Sequence, residues 1–330
     1  MKQTIFLLAT LWLLLISCNS QEPAPARNLS FDKLVQIESD LPVGNFMDLS
    51  FANDSTGVAI TNGGNIFRTT NGGKNWTKLE SPTTKFLKSI QFSSNKRVGY
   101  IIGADNSGGV VLKSEDAGKT WQIVEESAAI EPLSISFPAE SNAYMLEGGK
   151  ALWKIDHNLK SIIKYTLPDG VSGTSVNFRY GNEGVIAGSK GAYYTTQDGG
   201  KNWLPFKASV DNQFHEIYFA DNTPVLKGDT TIVYVNSKND YTIRKIPDVF
   251  KMYFINQKQA IGVGMHYEDM GFFPYGDIYI TNDGWKNRET KTFGGSVAFK
   301  FTALAKMSEN KFMIIGLGNL KSSVLILNTK

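Results

Sequence analysis

From about residue 32 onward, apolar and polar residues alternate in short runs, and the runs come four to a unit. LKSIQFSS, beginning at Leu87, is followed by VGYIIGAD, GVVLKSED and WQIVEES. Alternation of period two marks a strand with one buried face. The runs that align with LKSIQFSS are FMDLSFAN, PLSISFPA, SVNFRYGN, FHEIYFAD, FKMYFINQ and FTALAKMS, which makes about seven units of four strands. The last unit ends at SSVLILNTK without a fourth run, whereas KLVQIES, Lys33 to Ser39, precedes the first unit as an orphan. A unit of this length is a propeller blade. The reading is an all-β chain: a single seven-bladed β-propeller of four-stranded antiparallel blades over residues 31–330. Its ring is closed by the N-terminal strand, so no edge is left open where the ends meet. Six and eight blades are the neighbouring counts.

A polar knot recurs at the end of the third run. Residues 69–76 (TTNGGKNW), 114–121 (SEDAGKTW) and 196–203 (TQDGGKNW) share one template: Ser or Thr, any residue, Asp or Asn, any residue, Gly, Lys, Thr or Asn, Trp. Residues 281–288 (TNDGWKNR) keep the frame, with Trp285 at the Gly position and Arg288 at the Trp position. The final positions are separated by 45 (121 − 76), 82 (203 − 121) and 85 (288 − 203), so two further copies have eroded between them. GKALWKIDHNLKSIIKYTLP and TTIVYVNSKNDYTIRKIPD keep the two alternating runs around such a turn without the Trp. The roles predicted for these residues are structural. Asn71, Asp116, Asp198 and Asp283 accept hydrogen bonds from their own turns, and Gly73, Gly118 and Gly200 supply a positive φ. Trp76, Trp121 and Trp203 bury aromatic surface and need a partner for the indole N–H.

This knot resembles the Asp-box repeat of sialidases, sortilin-type receptors and photosystem II assembly and stability factors. The repetition of the unit around the whole ring, from about residue 32 to 330, is most similar to the assembly factors. In those families the boxes lie on the face away from the active or binding site. The resemblance therefore implies that function sits on the other face, built from the loops between second and third strands and between blades. It also implies action by docking onto another protein.

The segment MKQTIFLLATLWLLLIS, residues 1–17, has one Lys and an apolar stretch too short to span a bilayer comfortably, as a signal peptide does. It leads into Leu15-Ile16-Ser17-Cys18, which resembles a lipobox, with Cys18 acylated and become the new N-terminus. Cys18 is the one cysteine in the chain. Residues 18–30 are then the lipidated cysteine and a polar, proline-bearing tether. The expected location is the cell envelope, and Asn19 after the cysteine favours the outer membrane. A net charge of +3 over 330 residues, without a basic run, argues against nucleic acid.

A sialidase clamp needs three arginines to hold a carboxylate, and only Arg179 falls on an inner strand, so the clamp cannot be assembled. Asp48 and Glu216 fall near the entry of inner strands as a carboxylate pair that glycoside chemistry could use. The plainer reading has them solvated or paired with Lys88 or Lys251. The histidines, His157, His215 and His266, form no nucleophilic set with Ser or Cys, and no cofactor is implied. The link Gly264–Asp277 (GMHYEDMGFFPYGD) is far longer than its equivalents and carries His266, Tyr267, Glu268, Asp269, Phe272, Phe273 and Tyr275 on the expected functional face. Such a loop reads as a contact surface for protein or sugar, or as a plug over the channel. As metal ligands, His266, Glu268 and Asp269 lack a fixed scaffold and a fourth partner. The leading expectation is a non-enzymatic, lipid-anchored propeller that binds a protein partner, with glycan binding or hydrolysis as the rival.

Overall fold

The structure, a computed structural model, describes residues 28–329 apart from 140, 159, 238–239, 269–272, 295–297 and 319–320. The signal segment, Cys18, most of the tether, Asp269 and Phe272 lie outside the described residues.

Seven four-stranded antiparallel sheets form the ring. Six are consecutive in the chain, and their innermost strands are Phe46–Phe51, Leu87–Phe92, Pro132–Ser136, Gly173–Arg179, Glu216–Ala220 and Val249–Phe254. Blade 7 takes Phe299–Ser308, Lys311–Gly318 and Lys321–Asn328 from the C-terminus and Leu34–Ile37 from the N-terminus. In that closure Leu34 pairs with Leu327 and Ile37 with Val324. Asp40 then ties the closing segment to blade 1, accepting from the Trp76 N–H (2.7 Å) and the Asn75 side-chain amide (2.9 Å).

The core lies between blades. Each cluster of buried side chains joins two neighbours: Phe46, Leu49 and Trp76 of blade 1 meet Met313, Ile315 and Val324 of blade 7, and Ile261 and Ile280 of blade 6 meet Phe312 and Leu325 of blade 7. The second strands are the most enclosed, Gly57–Thr61 being buried throughout, because both of their faces pack against other blades. Alternation in the sequence is sharpest where only one face is covered, on the innermost and outermost strands.

The boxes occupy the turns between third and fourth strands. In the first, the Thr69 hydroxyl receives the Gly73 N–H (2.9 Å), the Asn71 side-chain oxygen receives the Asn75 N–H (2.9 Å), and the Trp76 indole donates to the Gly73 carbonyl (3.0 Å). The second and third repeat the pattern through Ser114 and Asp116 and through Thr196 and Asp198. One expectation fails here: among the described residues the buried indole N–H of Trp121 has no acceptor, and neither has that of Trp285 in the fourth box, for which no partner was expected. Trp285 takes the left-handed conformation that Gly adopts in the other boxes (φ 65°), and its ring, 5% exposed, fills the blade 5–6 cluster. The box is kept at the cost of backbone strain.

Each box also bonds to the turn between first and second strands of its own blade: Gly72 N–H to Ser55, Ala117 to Arg97, Gly199 to Asn182 and Gly284 to Lys258. Those turns and the boxes therefore share one face. Asp198 is held at about pKa 2 by its bonds to the Asn202 side chain and backbone, and turn bonds likewise outweigh partial burial to keep Asp116 below the usual range. A carboxylate held down in the fold stabilises it above the unfolded pKa of about 3.9, and the contribution is lost as pH falls through the folded value. Asp116→Ala is expected to lower stability by about 1 kcal/mol at pH 7 and to leave partner binding unchanged. Denaturant titrations should show the difference shrinking below pH 4.

Two positions differ from the expected boundaries. Leu29 and Ser30, assigned to the tether, belong to the body: Leu29 is 3% exposed in the blade 6–7 core, and Ser30 caps a short 3-10 turn, Phe31–Lys33. The blade 6 link is also shorter than Gly264–Asp277. Strand pairing continues to His266 and resumes at Tyr275, so the connection is Tyr267–Pro274.

Candidate functional site: the channel mouth

In blades 1, 2, 3, 4, 6 and 7 the pairing of first and second strands skips one residue near its start. The skipped residues are Met47, Lys88, Leu133, Thr174, Phe250 and Thr302. A bulge re-aims the side chains that follow it, and here it brings Asp48, Ser89, Ser134, Ser175, Lys251 and Ala303 to one level of the channel, with Glu216 taking that level in blade 5. The next level holds Ser50, Gln91, Ser136, Asn177, Tyr218 and Tyr253. Glycine makes the accompanying close approach possible: a Cβ on Gly264 would lie 1.9 Å from the Asp248 carbonyl, and one on Gly103 2.3 Å from the Phe86 carbonyl.

These polar levels link blade to blade. Asp48 accepts from the Leu49 N–H and, across to blade 2, from the Ser89 hydroxyl (2.8 Å) and Ile90 N–H (3.0 Å). Gln91 accepts from the Phe137 N–H (2.9 Å), the Ser136 hydroxyl receives the Phe178 N–H (2.9 Å), and the Asn177 amide donates to the Ile217 carbonyl (2.8 Å). Glu216 pairs with Lys251 (3.1 Å) and accepts from the Tyr218 hydroxyl, which receives the Met252 N–H (3.1 Å). Inner strands pay for their exposure to the channel by this lacing, since an unpaired polar group there would be destabilising.

The sequence-predicted residues separate accordingly. Asp48 and Lys251 line a cavity of about 590 Å³ together with Tyr218 and Tyr253, and Glu216 reaches the same level beside Lys251. Glu216 is paired with Lys251, as the plainer reading had it, while Asp48 is engaged by neighbouring strands rather than by Lys88. Burial pushes the Glu216 carboxyl up, but Lys251 and then Lys227 outweigh it and hold it below the usual range. Glu216 and Asp48 raise Lys251 above its usual range against the effect of burial. A glycosidase acid must hold its proton near neutral pH, and the charge beside Glu216 works in the opposite direction. Arg179, the arginine expected on an inner strand and a candidate for binding, does lie on one but ends it on the box side of the channel, bound to Glu183 and stacked near Tyr180 and Phe219.

At the blade 6 rim, Asp277 is 1% exposed; its Oδ1 accepts from the Thr292 hydroxyl (2.7 Å), and its Oδ2 accepts from the Tyr279 hydroxyl (2.9 Å) and meets His266 Nδ1 at 2.5 Å. The His266 ring stacks on Tyr275 (5.2 Å between centroids). Burial and Glu268 raise the Tyr275 hydroxyl. His266 and Tyr275 are therefore fixed to the sheet and form the base of the loop, from which Tyr267 and Phe273 emerge 58% and 50% exposed. Sequence reasoning missed Asp277, whose signal was an acid at the first inward position of an Ile-Tyr-Ile strand. It also missed Lys85, a buried lysine between blades 1 and 2 that is bound to Asp105 (3.4 Å) and Ser107.

Among the described residues, the exposed large apolar side chains of the mouth face lie at blade 6, at the entry to blade 1 and at the entry to blade 2: Tyr267 and Phe273, then Val43 and Met47, then Phe86. Fold and site together define a closed Asp-box propeller whose polar channel is internally satisfied and whose mouth carries an apolar arc on one side. The chain belongs to the family described as photosynthesis system II assembly factor YCF48, which it matches over residues 28–320. It is 23% identical over 181 residues to a photosystem II assembly protein Ycf48 of Thermosynechococcus vestitus, covering 53% of this chain and 51% of that protein. It is likewise 23% identical to a photosystem II assembly lipoprotein Ycf48 of Prochlorococcus marinus, over 57% of this chain and 56% of that one. The chain thus spans about half the length of the curated relatives it matches. A solved YCF48 bound to a D1 peptide superposes with a TM-score of 0.69 at 15% identity, covering 92% of this chain and 99% of that one, a likeness that shows the fold.

Proposed function

We propose that this protein is a non-enzymatic assembly factor or scaffold that binds a segment of another protein on its channel-mouth face while held at a membrane surface by a lipid on Cys18. The observation that carries the reading is the apolar arc of Tyr267, Phe273, Val43, Met47 and Phe86, exposed on the mouth face. Exposed aromatic and aliphatic side chains beside satisfied polar groups suit a protein contact. The family supports the same class of ligand, since one relative was solved with a D1 peptide. The name of the Prochlorococcus marinus relative supports the anchor. Polar and charged atoms of the upper channel, Lys251 foremost, orient the bound segment, and the blade 6 loop supplies its anchor points.

The test is a photo-crosslinking amino acid placed at Phe273 and, as a control, at Asp221 on the box face, in the intact envelope. A discrete protein adduct from Phe273 and none from Asp221 is expected, and Tyr267→Ala should reduce it severalfold. A D1 peptide serves as the defined probe in solution. A specific hit on a glycan array, with no protein adduct, would transfer the reading to the carbohydrate class.

A further inference from the structure

We infer that the Asp-box face lies against the membrane and that the channel mouth looks away from it. This rests on the lipid-anchor reading above. The decisive feature is where the chain enters the ring. The Leu29 N–H donates to the Asn282 side-chain oxygen (2.7 Å), and the Asn282 amide donates to the Leu29 carbonyl (3.1 Å). Leu29 is sealed among Ile280, Phe312 and Leu327, and Asn28 lies in a hollow with Asp221, Asn256, Gln257 and Lys258. Asn282 is the free second position of the fourth box, and the residues around Asn28 belong to turns of the box face. The box of blade 6 is thus also a clamp on the incoming chain.

Ten residue steps separate Cys18 from Asn28. They reach at most roughly 33–36 Å fully extended. The six residues of the inner strand Phe46–Phe51 rise by about 20 Å before any loop is added. A tether leaving the box face therefore lets that face meet the bilayer with length to spare, whereas a mouth-down arrangement would use up most of its reach along the side of a blade.

The box face has the chemistry for headgroups. Lys74, Lys119, Lys201 and Lys286 hold the same position in four boxes and are all exposed. The acids of the boxes themselves are occupied with their own turns, Asn71 standing in for the acid in the first, and Glu115 is paired with Lys113, while Asp54 and Asp221 are exposed in turns of the same face. Tyr180, in a turn of the same face, is 75% exposed, an amphipathic ring suited to the interface. The occupant of this face is an anionic lipid surface. The partner that reaches the mouth must then do so about 20 Å or more above the bilayer, which selects an extramembrane tail, loop or soluble chain.

The test uses the full lipidated protein in vesicles of phosphatidylcholine and phosphatidylglycerol carrying a headgroup nitroxide quencher. A fluorophore is placed at Lys286→Cys or Lys119→Cys on the box face, or at Asp229→Cys, whose side chain is 85% exposed in the mouth loop of blade 5. Both box positions should be quenched severalfold more than Asp229→Cys. Equal quenching, or more at Asp229→Cys, would overturn the orientation. Flotation separates the two readings. If the wild-type chain fails to float with vesicles, or Cys18→Ala floats as well as wild type, the lipid anchor is wrong. If wild type floats and Cys18→Ala does not, the quenching ratio judges the orientation alone.

Discussion

Trp203→Ala is expected to cost about 3–5 kcal/mol of folding stability, the range for removing a buried aromatic ring. The side chain is 8% exposed, sits in the blade 3–4 cluster with Leu152 and Ile186, and meets the Phe178 ring edge-on at 6.1 Å. Its indole donates to the Gly200 carbonyl at 3.1 Å. Because Gly200 itself packs on Leu152, loss of the ring frees the turn as well as opening a cavity. Trp203→Phe should recover most of the loss, retaining the aromatic surface and giving up one hydrogen bond of about 1 kcal/mol. Denaturant titration measures both. A loss below 1 kcal/mol for the alanine variant would mean that the box does not bind blade to blade.

Lys251→Met is expected to cost about 2–3 kcal/mol. Breaking a fully buried ion pair costs about 3–5 kcal/mol, and the figure is reduced because Lys251 and Glu216 side chains keep 30% and 25% of their exposure to the channel. What remains is Glu216 without its cation, with Asp48 also facing the channel. The sign of the pH dependence follows from the two shifts. Glu216, held low, stabilises the fold above its unfolded pKa of about 4.3, and that contribution is lost as pH falls through the folded value. Lys251, held high, stabilises below its unfolded pKa of about 10.4, and that contribution is lost as pH rises through the folded value. The difference between variant and wild type should therefore be flat from about pH 5 to 10 and shrink in acid, where Glu216 is protonated in both. The double variant Glu216→Gln with Lys251→Met should recover much of the loss. A penalty that persists unchanged at pH 3 would show the defect to be one of packing.

How far the sequence carried depended on whether the determinant was local. Period-two alternation, the box template and the spacing of Trp76, Trp121 and Trp203 depend on neighbours within a blade, and they led to seven blades and to ring closure by the strand ahead of blade 1. Even eroded boxes were legible, because the strand pairs Ala151–Asp156 with Ser161–Thr166 and Thr231–Ser237 with Asp240–Lys245 keep the alternation. Leu29 shows the limit: its burial depends on Ile280, Phe312 and Leu327, two blades folded from the far end of the chain, so nothing adjacent to it marks it as core. The same holds for the blade 6 loop. Length and aromatic content announced it, but the extension of pairing to His266 and Tyr275 depends on Asp277 holding the imidazole from across the strand.

By itself the sequence determined the repeat, the face on which the boxes lie and the types of residue available at the mouth, since strand alternation and turn chemistry are encoded within a few residues. The tertiary structure decided which of them meet. It brought Asp48 and Lys251 to the level of Glu216 through a bulge that recurs in every blade but the fifth, sent Arg179 to the opposite end of the channel, and brought Leu29 under Asn282 of the blade 6 box. Those outcomes depend on register and ring closure across blades, where a shift of one residue turns a side chain from core to channel, and contacts between residues more than 250 positions apart leave no local trace.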